Sequence, residues 1–111
     1  MNAVAAAVDH FRAHARLAVR TEASLRLSGV TSPVRLVDLG LGGAGVAIES
    51  ELRVGGLIDL QLNTPNRWEP LTLRARVAWC HDGRAGLAFE HRSERDAWAL
   101  WELLDAARFD R

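Results

Sequence analysis

Leu71-Thr72-Leu73-Arg74-Ala75-Arg76-Val77-Ala78-Trp79-Cys80-His81-Asp82-Gly83-Arg84-Ala85-Gly86-Leu87-Ala88-Phe89 is the stretch that decides the fold. Its first half has a period of two: Leu71, Leu73, Ala75, Val77 and Trp79 face one way, Arg74 and Arg76 the other. Successive side chains of a strand point to opposite faces, so this is a half-buried strand with Trp79 expected in the core. His81-Asp82-Gly83-Arg84 supplies the Asp-Gly pair of a tight hairpin. Leu87 and Phe89 then fall on the inner face of the returning strand.

The same period recurs upstream. From Leu17 to Ser28, Leu17, Val19, Thr21, Ala23, Leu25 and Leu27 alternate with polar or small residues, which predicts a first strand. Gly29 to Pro33 carries turn chemistry, and Val34 to Leu39 forms a second apolar run ending at Gly40 to Gly45. Val46 and Ile48 begin a third strand, Gly55-Gly56 reads as a turn, and Ile58, Leu60 and Leu62 mark a fourth. Thr64 to Pro70 is a loop with two prolines, where Trp68 reads equally as an exposed anchor for a partner or as packed under the loop. After Phe89 the period changes. Ser93 is an N-cap with Asp96 three residues on, and Ala97, Trp101, Leu104 and Arg108 follow at helical spacing, widened by Trp98 and Leu100. That stripe places Trp101 in the core and Trp98 partly in it. The expectation is a mainly β fold: six antiparallel strands closing into a barrel or sandwich, with a C-terminal α-helix over an open end or edge. Residues 1–11 read as an N-terminal arm or helix and 12–111 as the domain.

At 111 residues the chain suits one domain. Its formal net charge is zero, which argues against a grip on long DNA or RNA and leaves room for a small anion. Every basic residue other than histidine is arginine, which reads either as a GC-rich coding bias or as guanidinium chemistry suited to phosphates and guanine edges. Cys80 is the only cysteine, so no intrachain disulfide forms, in keeping with a cytoplasmic protein. No apolar run nears the ~20 residues of a membrane span. Asp9 and the lack of a basic leader speak against a secretory signal. His10, His14, His81 and His91 lack metal-ligand spacing, so no metal or other cofactor is expected. No nucleophile–base pair or phosphate loop is present, so the chain reads as a non-enzyme.

Two segments could hold a ligand. Arg12 and Arg16 are four residues apart just before the first strand, with His14 between them as a base-stacking candidate. Asp38, Gly40, Gly42 and Gly43 lie between the second and third strands. A carboxylate accepts hydrogen bonds from amino donors, and glycines let a ligand approach the backbone. Asp38 could equally cap a turn, and the glycines could serve that turn alone.

Together these segments resemble the PilZ family. Arg12–Arg16 matches its RxxxR motif, and Asp38 to Gly43 matches its [D/N]xSxxG motif. Ala75-Arg76-Val77-Ala78-Trp79 and Gly86-Leu87-Ala88-Phe89 resemble its last hairpin. Arg16-Leu17-Ala18-Val19-Arg20 also spells RxxxR, but an apolar strand start directly after the second arginine favours Arg12 and Arg16, with Arg20 as a further candidate. The resemblance implies a split β-barrel that binds cyclic di-GMP through these residues and signals to a protein partner by ordering its N-terminal arm. One position departs from the pattern: the motif serine is Gly40. Losing that hydroxyl costs ~1–3 kcal/mol if nothing replaces it. The expectation is therefore weakened binding or, alternatively, an adaptor that works by protein contacts, in motility or surface attachment, without the nucleotide.

Overall fold

The computed structural model describes residues 21–63, 68–90 and 93–109. Six strands, β1 (Glu22–Leu27), β2 (Val30–Leu39), β3 (Gly43–Ala47), β4 (Leu57–Asn63), β5 (Leu71–His81) and β6 (Arg84–Phe89), precede one helix, α1 (Glu94–Phe109). Every neighbouring pair is antiparallel, and the order β1-β2-β3-β6-β5-β4 closes with β4 back on β1. Closure leaves no sheet edge along the paired segments. The alternation fills the interior: Leu25, Leu60 and Leu73 meet across β1, β4 and β5, while Val46, Val77 and Leu87 are buried on β3, β5 and β6.

The turns are placed by residues that tolerate a left-handed backbone. Asp82 and Gly83 have φ of 52° and 74°, as a two-residue hairpin of this hand requires. Ser28 and Gly29, at 52° and 82°, do the same for β1–β2. That turn lies earlier than the expected Gly29 to Pro33, and Pro33 sits inside β2 opposite Ser24. Counting from the closing pair Leu27–Val30, the Ser24–Pro33 pair exchanges no hydrogen bonds, so Pro33 costs the ladder no donor there. The β1–β2 hairpin also projects past the closed part of the barrel, because β2 meets β3 only from Arg35 onward. Leu27, expected inside, is therefore exposed.

The connection from β3 to β4 crosses the end of β6 and β5. Ile48 N–H donates to the Gly83 carbonyl at 2.8 Å, Leu52 N–H to Cys80 Sγ at 3.4 Å, and Gly55 N–H to the Val77 carbonyl at 2.7 Å. Helix α1 starts at Ser93, whose Oγ accepts the Asp96 N–H at 3.1 Å, and it packs beside β5. Its buried face is Ala99, Leu100 and Leu104. The stripe is thus rotated from the expected one: Trp98 and Trp101 lie outside it, stacked on each other with centroids 5.3 Å apart. Trp98 and Trp101 are the bulkiest side chains of the expected stripe. The helix instead buries the compact ones, which let it approach the barrel, and the indoles shield each other.

Candidate functional site

Two β-bulges build the site. In β2, Leu36 and Leu39 are both buried although three residues apart, which unbroken alternation forbids. A bulge between Leu36 and Asp38 reconciles them and leaves Asp38 half-buried, opposite Gly45. Its Oδ1 accepts the Gly45 N–H at 2.9 Å. The carboxylate lies over that glycine, since a Cβ at residue 45 would sit 3.0 Å from Oδ1.

In β5 a bulge between Val77 and Trp79 reverses the faces again. Val77 pairs with buried Leu87, but Trp79 pairs with Gly86 and is 39% exposed. This corrects the expectation of a core tryptophan. The indole lies on Gly86: an added Cβ would be 2.1 Å from Nε1, far inside contact distance. His81 packs beside the indole, with ring centroids 5.0 Å apart.

Gly45 and Gly86 are themselves partners across β3 and β6. One row therefore runs Asp38, Gly45, Gly86, Trp79 across four strands. The two side chains at its ends lean inward over neighbouring glycines whose backbones are about 5 Å apart. The carboxylate can accept paired N–H donors, and the indole offers an N–H and a π face. The row thus presents recognition chemistry for a planar group with donors on one edge.

We expect Gly86→Ala to destabilise the domain by about 1–3 kcal/mol, because the indole must leave its seat. Chemical denaturation checks this, and Trp79→Ala in the same chain should restore part of the loss.

The turn after β2 carries the glycines of the second motif. Gly40 N–H donates to the Gly43 carbonyl at 2.9 Å, and Phe89 N–H to that of Gly42 at 2.9 Å. None of Gly40, Gly42 and Gly43 has a positive φ. Gly42 is exposed, and a Cβ there would meet nothing within 4 Å. Neither strain nor crowding demands glycine at this position. Gly42→Ala should leave the thermal midpoint unchanged, a change of roughly 0.5 kcal/mol or less.

Arg12, His14, Arg16 and Arg20 lie outside the described residues. Ala23 pairs with Val34, so Glu22 and Thr21 lie toward the Asp38 end of β2. Thr21 Oγ1 donates to the Asn63 carbonyl at that same end of the barrel.

A profile of the PilZ domain matches residues 10–106. The chain belongs to the PilZ domain family. Solved structures agree on the fold. The PilZ domain of CeSA from a cellulose-synthesizing bacterium superposes with a TM-score of 0.65 at 18% identity, covering 84% of this chain and 97% of that one. The PilZ domain of YcgR from Escherichia coli, solved with c-di-GMP, gives 0.71 at 19% identity, covering 87% and 91%. MotI/DgrA, an inhibitor of motility from Bacillus subtilis, gives 0.69 at 15% identity, and there the match spans 51% of the longer chain. A search of curated proteins gives no match. The six-stranded closed barrel and C-terminal helix expected from sequence are those of the PilZ fold.

Trp79, Gly45 and Gly86, which complete this row, are not among the residues expected from sequence. A signal for two of them was present: counting back from the Asp82-Gly83 turn sets Trp79 opposite Gly86, the largest side chain against none.

Proposed function

We propose that this PilZ domain is a cyclic di-GMP receptor that acts through a protein partner and performs no chemistry on the nucleotide. The carrying observation is the row in which the Asp38 carboxylate and the Trp79 indole lean over Gly45 and Gly86. A guanine presents N1–H and N2–H donors on one edge, which suit a carboxylate. Its face suits an indole. Arg12 and Arg16, which precede Thr21 in the chain, are assigned to the phosphates, in charge-assisted hydrogen bonds. Support also comes from YcgR, whose PilZ domain was solved with c-di-GMP. Closing the N-terminal segment over the ligand changes the surface offered to a partner, and that change is the output. The proposed setting is the cytoplasm, and the proposed process is motility, which MotI/DgrA, a protein of like fold, inhibits.

Gly40 sets the affinity. Without the motif hydroxyl, binding is weaker by roughly ten- to a hundred-fold than with it, the equivalent of about 1–3 kcal/mol. Gly40→Ser should recover that factor in a titration. The same glycine favours the second reading, a PilZ adaptor that acts by protein contacts alone. Thermal-shift measurements with cyclic di-GMP, GTP and linear pGpG separate the cases. Stabilisation by the cyclic dinucleotide alone supports the receptor. Equal stabilisation by all three indicates a general anion site, and no stabilisation by any favours the adaptor.

A further inference from the structure

One row further along the strands from Asp38 and Trp79 the outer face changes character. Arg35 pairs with Ala47, Ala47 with Arg84, and Arg84 with His81. Ala44, Val46, Ala85 and Leu87 are fully buried, so their sequence neighbours Ala47 and Arg84 face outward, as Gly45 and Gly86 do. Arg35 is exposed between Val34, packed on the core, and buried Leu36. The two arginines lie one strand to either side of Ala47, their backbones about 10 Å apart. Their row lies about 7 Å along the sheet from the glycine row, which is within the length of one arginine side chain.

These cations differ from those of the adjacent face. Arg74 is held by Asp59 at 2.8 Å, and Arg76 lies 3.5 Å from Glu90 and donates to the Gly55 carbonyl at 2.8 Å. Among the described residues neither Arg35 nor Arg84 makes an ion pair or a side-chain hydrogen bond. Asp82, beside Arg84 in the turn, lies 3.2 Å from His81 Nδ1. Two guanidinium groups with no ion pair among the described residues, beside a recognition row, form a local site for acceptors.

We infer that Arg35 and Arg84 form a second subsite of the nucleotide face, and that they bind acceptor groups on the half of a cyclic dinucleotide distal to Asp38. A cyclic dinucleotide is longer than one base, so a ligand anchored by one guanine at Asp38 carries its second half across the sheet. Guanine O6 and N7 and the phosphate oxygens are the acceptors there, and a guanidinium fork meets either bidentately. The inference rests on the cyclic di-GMP reading.

Titration of cyclic di-GMP into the parent, Arg35→Ala, Arg84→Ala and the double variant tests it, with Arg26→Ala on β1 as a control for surface charge. The expected result is a loss of about ten-fold for each single variant and more for the double, with Arg26→Ala within two-fold of the parent and thermal midpoints unchanged. Parent binding with both single variants within two-fold overturns this inference and leaves the receptor reading standing. An equal loss in Arg26→Ala also overturns it, by assigning the effect to general charge. A parent that does not bind overturns both.

Discussion

Arg12→Ala/Arg16→Ala is expected to reduce cyclic di-GMP binding by a hundred-fold or more while leaving the folded barrel intact. Hydrogen bonds to charged groups contribute ~1.5–3 kcal/mol each, so the loss of two is worth about 3–6 kcal/mol. That exceeds any other single intervention on the ligand, the missing hydroxyl at Gly40 included. Both arginines precede Thr21 in the chain, and the buried core among the described residues runs from Ala23 to Leu104. Calorimetry together with a thermal melt checks both halves of the expectation. Normal binding by the double variant would assign the phosphates to other residues.

Leu60→Ala should give the largest loss of stability. Leu60 is fully buried on β4, between Leu25 of β1 and Leu73 of β5, at the seam where the barrel closes. Truncation removes transfer energy and leaves a cavity that three paired strands cannot collapse, a cost of ~2–5 kcal/mol. Domains of this size are stable by about 5–15 kcal/mol, so the variant is expected to melt at least ~10 °C lower. Leu57→Ala, at an exposed position on the same strand, should cost under about 1 kcal/mol. Similar melting points for the two variants would contradict the assignment of the core.

The fold was legible because a barrel of short strands is written in period two. Ile58, Leu60 and Leu62, like Leu71, Leu73, Ala75 and Val77, turn inward as the alternation requires. The Asp82-Gly83 turn, the Gly55 turn and the Ser93 cap are where their residue types place them. Failures fell where local rules meet a tertiary constraint. Trp79 continues an inward series of odd-numbered residues, but a two-residue turn at Asp82-Gly83 pairs odd positions with even ones, while Leu87 and Ala85 also turn inward. Both patterns hold only if β5 gains a residue, and the bulge at Val77/Trp79 is that residue. The conflict was present in the sequence, and its resolution turned a core tryptophan into a surface one.

The candidate site was legible in part. Asp38 was expected from its motif, but its seat over Gly45 depends on a second bulge that no spacing announces. The glycines of the turn were read as a ligand cradle or as turn residues alone, and at Gly42 neither a positive φ nor crowding requires glycine. Gly45 and Gly86 carry a different logic, that of room for a neighbour's side chain, which depends on cross-strand register. Arg35 and Arg84 are forty-nine positions apart in the chain, and only the β2–β3–β6 ladder brings them into one row.

Isothermal titration of cyclic di-GMP into the purified protein tests the central claim most directly. The account predicts saturable heat with an affinity that Arg16→Ala removes and Gly40→Ser improves by roughly ten- to a hundred-fold. The absence of both heat and thermal stabilisation at high micromolar nucleotide would contradict it.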